Sequence, residues 1–262
     1  MINQNAILQW RETVRWKELR FIEQDMILSR ALISLFQDDY LSSKLAFRGG
    51  TAIYKLFLKS QARYSEDIDF VQIEAEPIGQ VLDRIKTAMF FLGEPKIKQK
   101  ANNNTLLYRY DAVEPQGVVS QLKIEINSRE HFPVYEREIR HFKMENPWFS
   151  GSGNILTYRF DELIGTKIRA LYQRKKGRDL YDIYMALKSG MLDVRIAIEC
   201  YKKYMIFSNI IIPTAEEFKK NLEDKMTDSN FRGDIIPFLA DNTVYDVDEA
   251  HRTVKDQLIS LM

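Results

Sequence analysis

The stretch FRGGTAIYKLFLKSQARYSEDIDF, residues 47–70, constrains the fold of this chain more than any other. A short apolar run, KLAF, stops at Gly49-Gly50, the pattern of a strand delivered into a tight turn. Thr51 is a residue type that begins helices, and Ala52, Ile53, Leu56 and Phe57 then recur at helical spacing. After a polar loop, residues 67–73 alternate with period two: Ile68 and Phe70 face one way, Asp67, Asp69 and Val71 the other. Strand, turn, helix and second strand thus bring two carboxylates to one face, their Cα atoms ~6–7 Å apart. Two anions that close repel unless a cation lies between them.

Around this stretch the periodicities predict an α+β protein. Residues 7–36 read as helical, with Ile27, Leu28, Ala31, Leu32 and Leu35 on the apolar side and Glu18, Arg20, Glu23 and Asp25 at polar positions. Residues 77–92 read as a helix, and 105–113 and 118–129 as two strands separated by the turn-like Glu-Pro-Gln-Gly at 114–117. Beyond 155 the pattern is helical at 160–176, 178–188, 196–207, 215–225 and 247–261, with Gly177, Pro213 and Gly233 as punctuation. The expectation is a mixed-sheet core with flanking helices over 1–155, then a helical C-terminal lobe over 156–262.

Composition narrows the class of function. The 262 residues are 45% hydrophobic and 29% charged, ordinary for a globular protein. No apolar run reaches the roughly 18 residues of a membrane span, and the first residues lack the apolar core of a signal peptide, so a cytoplasmic protein is expected. Cys200 is the single cysteine, which removes an internal disulfide and a cysteine-based zinc site. His131, His141 and His251 show no metal-binding spacing, and no Gly-x-Ser-x-Gly motif marks a hydrolase nucleophile. The net charge of +1 hides an asymmetry: 30 basic and 25 acidic residues over 1–195, 8 and 12 over 196–262. Within 159–178, seven basic residues stand against two acidic ones, an excess suited to phosphates or to a solvated helix face.

Mg²⁺ is the cation that such a carboxylate pair suits, because it takes hard oxygen ligands and commonly shares them with substrate phosphates. The Gly49-Gly50 turn can expose backbone N–H groups to a phosphate at the start of the next helix, and Thr51 adds a hydroxyl. Glu125, between the inward-facing Ile124 and Ile126, is open to two readings: a third metal carboxylate, or an exposed strand residue. Lys167 falls inside the apolar stripe formed by Leu163, Ile164, Ile168, Leu171 and Tyr172. It either snorkels at the stripe's edge or meets an anion, such as a phosphate. Asp179 and Asp182 share a helical face three residues apart, and either could orient Lys167 or an arginine.

Three stretches in order, FRGGTAIYK, RYSEDIDF and KIRALYQRKKGRDLYDIY, together with the helical lead-in EQDMILSRALISLF, resemble the AbiEii-type nucleotidyltransferase toxins of type IV toxin–antitoxin systems. The likeness runs from about Glu23 to Lys188. It implies a nucleotidyltransferase core and Mg²⁺-dependent transfer of a nucleotide from a nucleoside triphosphate to an acceptor, a tRNA 3′ end in related toxins. It implies Asp67 and Asp69 as metal ligands, Gly49, Gly50 and Thr51 around the triphosphate, and Ser65 contacting phosphate or capping the loop. Lys167 would touch the triphosphate, and Asp182 or Asp179 would be the late motif acid. A separately encoded antitoxin is implied as well.

Other chemistries use some of the same residues. A metal-dependent nuclease would place Glu-x-Lys on its strand, whereas here the order is Lys123-Ile124-Glu125, and it has no need of a Gly-Gly-Thr turn. Transfer to a protein hydroxyl, and a non-catalytic domain that binds RNA or a partner, both remain compatible with the sequence.

Overall fold

The computed structural model describes residues 2–58, 62–113 and 116–262. The chain divides into two compact units, Met1–Tyr158 and Arg159–Met262. The first holds a seven-stranded mixed sheet in the order β3-β4-β5-β2-β1-β7-β6. Its strands are β1 (Leu45–Arg48), β2 (Asp67–Gln72), β3 (Lys96–Lys100), β4 (Asn103–Asp111), β5 (Val119–Asn127), β6 (Glu138–Asn146) and β7 (Phe149–Thr157). Helices α1 (Gln4–Trp10), α2 (Leu19–Phe36), α3 (Asp39–Lys44), α4 (Gly49–Ala52) and α5 (Gly79–Ala88) accompany them.

Alternation gives the sheet one apolar and one polar face. Phe47, Ile68, Phe70, Leu106, Tyr108, Ile124 and Ile126 are buried, and Phe36 at the end of α2 packs its ring 5.9 Å from that of Phe70. The opposite face carries Asp67, Asp69, Lys123 and Glu125, all partly exposed.

Several expectations shift in detail. The helix expected over 7–36 is two helices, because Val14 and Trp16 are buried in the segment between them. The helix after the glycines begins at Gly49, two residues before Thr51, and continues as a π-helical turn over Ile53–Phe57. Glu114 and Pro115 of the expected turn lie outside the described residues; Gly117, at φ +82°, ends it. Strand β3 and the β6–β7 hairpin were not expected, since few of their side chains are buried and the apolar alternation is faint.

The second unit is helical: α6 (Phe160–Gln173), α7 (Gly177–Lys188), α8 (Val194–Phe207), α9 (Ala215–Met226), α10 (Ser229–Gly233) and α11 (Val247–Gln257). Asp193, Thr214 and Asp246 cap α8, α9 and α11, Thr214 in a reciprocal box with Glu217. Gly177 begins α7 where a Cβ would lie 2.0 Å from the Phe231 carbonyl oxygen, so only glycine fits. Among the described residues no helix is long and apolar enough to cross a membrane.

Candidate active site

Strand register assembles the site in the first unit. β1 runs antiparallel to β2 and sets Arg48 opposite Asp69. β2 runs parallel to β5 and sets Asp67 beside Lys123 and Asp69 beside Glu125. Period-two geometry then puts Asp67, Asp69, Lys123 and Glu125 on one face, as partners in adjacent strands share a side of the sheet.

The glycine turn closes against this face. Gly49 adopts φ +81°, a conformation open to glycine and strained for other residues. A Cβ there would come within 2.2 Å of Asp69 Oδ2, so the turn backbone lies directly on the Asp69 carboxylate. Thr51 is buried, and its hydroxyl donates to the Asp67 carbonyl at 2.5 Å. With that proton committed, Ser65, 2.7 Å away, donates to Thr51. Both hydroxyls therefore tie the turn to the start of β2.

Further back, Lys55 in the π-helical turn reaches Asp25 of α2 at 2.7 and 2.8 Å and Ser29 at 3.1 Å, while the Trp10 indole N–H donates to Asp25 at 2.9 Å. Asp25 and Lys55 are 2% and 4% exposed, a buried pair that anchors the turn to the core helix. Glu23, also buried, accepts the Val113 N–H through both oxygens.

The electrostatics are those of a site short of positive charge. Burial, with a smaller push from Asp69, raises the Asp67 carboxyl to about 6 even though Lys123 opposes the shift. The Lys123 ammonium lies 2.8 Å from Asp67 and 3.2 Å from Glu125. Burial pulls its pKa down, but the hydrogen bond to Asp67 and the two carboxylate charges outweigh that and leave it above the ordinary lysine value. Arg48 pairs with Glu130 at 2.6 Å. A cleft of about 320 Å³ opens here, lined by Arg48, Asp69, Asn103, Glu125, Asn127 and Arg129 among others. Among the described residues no three acidic, histidine or cysteine side chains converge on one point. Lys123 occupies the space between Asp67 and Glu125.

In the second unit Lys167 lies 3.1 Å from Asp179 and 2.9 Å from Asp182. Arg174 adds two bonds to Asp179, at 2.6 and 2.8 Å. Both aspartates are fully buried. Burial alone would raise Asp179; Lys167 and Arg174 overcome it and hold the carboxyl below its usual range. The interior lysine has the anionic partners its place in an apolar stripe requires, and they come from α7. Arg178 donates to Asp234 through its backbone and side chain.

The comparisons with known proteins agree with this architecture. A family model described as the nucleotidyl transferase AbiEii toxin of type IV toxin–antitoxin systems matches residues 30–253. The chain belongs to the AbiEii family. AbiEii proteins are nucleotidyltransferases, and that is the enzyme class of this chain. No curated protein matches it. Among solved structures, a putative nucleotidyltransferase from H. pylori is similar at TM-score 0.59 and 21% identity, over 91% of this chain and 93% of that one. MenT4, a nucleotidyltransferase toxin from Mycobacterium tuberculosis, is similar at TM-score 0.65 and 14% identity, over 100% and 91%. At these identities the likeness is one of fold, a mixed α+β core shared with nucleotidyltransferase toxins.

Within this AbiEii chain, two residues of the carboxylate face escaped the sequence reading. Lys123 is two residues before Glu125 and so shares its face, a signal the strand period already carried. Arg48 stands immediately before the glycines, and only the β1–β2 register reveals that it lies beside Asp69.

Proposed function

We propose that this nucleotidyltransferase uses a divalent cation, Mg²⁺ by its preference for oxygen ligands, to transfer a nucleoside monophosphate from a nucleoside triphosphate to the 3′ end of a tRNA. The observation that carries the reading is the row formed by Asp69 and Glu125, with Asp67 on the same face and the Gly49 backbone against Asp69. The donor set fits the ion: the candidates are all carboxylate oxygens, Asp67 is destabilised as an anion, and an ammonium already bridges two of them. Asp67 and Asp69 would hold the metal and Glu125 would be the third carboxylate. A bound Mg²⁺ would supply Lewis-acid polarisation of the α-phosphate and charge neutralisation as pyrophosphate leaves.

The chain's own groups have distinct tasks. The first N–H groups of α4, at Gly49 and Gly50, lack helical partners and suit phosphate oxygens. Thr51 and Ser65 fix that turn to β2, and Lys123 holds Asp67 and Glu125, the carboxylates it would cede to a bound cation. The acceptor oxygen bonds to the α-phosphorus, the bond to the oxygen bridging the β-phosphate breaks, and the hydroxyl proton leaves toward the carboxylate row. Lys167 and Arg174, matched in charge with Asp179 and Asp182, position α6 on α7. Family membership supports a cognate antitoxin as a further partner.

The test is incubation of the full-length protein with total tRNA, Mg²⁺ and each labelled nucleoside triphosphate in turn, beside an Asp67→Ala, Asp69→Ala variant. Label in RNA that vanishes in the variant is expected. Label on protein alone moves the acceptor to a side-chain hydroxyl, and no label anywhere from a folded protein overturns the reading.

A further inference from the structure

The polar face of the first unit's sheet continues past the carboxylates to its outer edge. There β3 pairs antiparallel with β4, placing Lys96 opposite Leu107, Lys98 opposite Thr105 and Lys100 opposite Asn103. β4 carries that register to β5, where Leu107 meets Lys123, Thr105 meets Glu125 and Asn103 meets Asn127. Partners across adjacent strands share a side, so the three lysines project from the face that bears Asp67, Asp69 and Glu125. One row, Arg48–Asp69–Glu125–Thr105–Lys98, crosses the sheet. With strands ~4.8 Å apart, Lys98 stands ~10 Å from Glu125 and ~14 Å from Asp69 at the Cα level.

All three lysines are exposed. Among the described residues none of them makes an ion pair or side-chain hydrogen bond, in contrast to Lys123 on the same face. Exposed Arg109 extends the basic strip along β4. Two acids adjoin the Arg109 end of the strip, Glu94 two residues before Lys96 and Asp111 two residues after Arg109, and neither lies among the three lysines. Lysines on an edge strand also discourage edge-to-edge pairing. That role is met from either face and does not require three at alternate positions beside a carboxylate site. Like charges repeated every ~6.6 Å along an extended strand form a line, which suits a chain of phosphates better than one compact phosphate group.

We propose that this lysine ladder binds the phosphodiester backbone of an RNA acceptor and directs its end toward the Asp69–Glu125 row. The proposal deepens the nucleotidyl-transfer reading and rests on it for which end of the RNA reacts. Backbone contacts of this kind position a nucleic acid without reading sequence, and they make affinity fall with salt.

Binding of fluorescently labelled total tRNA to the full-length protein, measured between about 50 and 200 mM salt without triphosphate, tests it. The Lys96→Gln, Lys98→Gln, Lys100→Gln variant is expected to bind about tenfold or more weakly, with the slope of log affinity against log salt reduced by ~2–3. Lys98→Gln alone, a safeguard should the triple variant self-associate through its edge, is expected to reduce the slope by ~0.7–0.9. Asp69→Asn is expected to abolish transfer while retaining RNA binding. Absence of RNA binding by the wild type, or unchanged affinity and slope in the folded lysine variants, overturns the proposal. So does RNA binding that persists while binding of poly-glutamate is lost, which would assign the ladder to an acidic protein. Ladder-dependent RNA binding by a protein that transfers no nucleotide would sink the transferase reading and leave the ladder standing.

Discussion

Asp67 is ionised at neutral pH against burial and the charges of Asp69 and Glu66, which push its carboxyl up to about 6. An unfolded aspartate titrates near 3.9, so the native state holds the Asp67 proton more tightly than the unfolded chain does. The charged side chain therefore destabilises the fold above about pH 6, and the penalty is relieved as pH falls from about 6 toward 4. Asp67→Asn should be more stable than the wild type by ~1–2 kcal/mol at pH 8, a figure reduced for the 31% of the side chain that stays exposed, and equal to it near pH 4. Urea titrations across that range check this; a pH-independent difference would contradict it. Gly49→Ala puts a Cβ 2.2 Å from Asp69 Oδ2 at a positive φ. Its expected cost is ~1–3 kcal/mol of stability and, by displacing the carboxylate, ~100-fold in transfer rate. At this scale the sequence was informative where a period of two applied within one strand: Asp67 and Asp69 share the face their spacing implies, and the β2–β5 register adds Glu125 to it. It misread Asp25 and Glu23, set by the helical period among polar positions but buried by the fold, Asp25 against Lys55.

Between elements, the Asp25–Lys55 pair is what joins α2 to the glycine turn. Asp25→Ala leaves a buried ammonium and the Trp10 indole N–H without their acceptor, and should cost ~3–5 kcal/mol in chemical denaturation. Asp25→Leu combined with Lys55→Met should recover most of that loss, because the pair's attraction is offset by its desolvation. A double variant as unstable as the sum of its parts would contradict this account. The pair also shows why some elements could be read and others not. β5 and the start of β2 alternate clearly, and β1 is a short buried apolar run. β3 and the β6–β7 hairpin lie at the two edges of the sheet, where little is buried and the apolar code fades. The π-helical turn over Ile53–Phe57 keeps an apolar spacing that resembles an α-helix, so the sequence does not mark its geometry; in the fold, Lys55 reaches Asp25 from this turn.

For the molecule as a whole, the compact units Met1–Tyr158 and Arg159–Met262 differ in where they keep charge: a sheet with a charged open face, and a helical unit that pairs the buried Asp179 and Asp182 with Lys167 and Arg174. The periodicities of α6 to α9 and α11 were legible because each buries a stripe; the sequence also offered Asp179 and Asp182 as partners for Lys167 or an arginine, and the structure gives Lys167 both acids and Arg174 to Asp179. A magnesium–nucleoside triphosphate at about 100 times its Kd should stabilise the protein by ~2.7 kcal/mol and raise Tm by ~5 °C. Asp67→Asn with Asp69→Asn should remove that rise. The central claim is that the Asp67–Asp69–Glu125 face holds the cation, and its most direct test needs no acceptor: Mn²⁺ binding, followed by electron paramagnetic resonance with a non-hydrolysable triphosphate present. The wild type should bind, with affinity falling ~tenfold per pH unit below about 6 as Asp67 takes up its proton, and the double variant should bind ~100-fold more weakly or not at all. A double variant that binds Mn²⁺ as the wild type does would contradict the account.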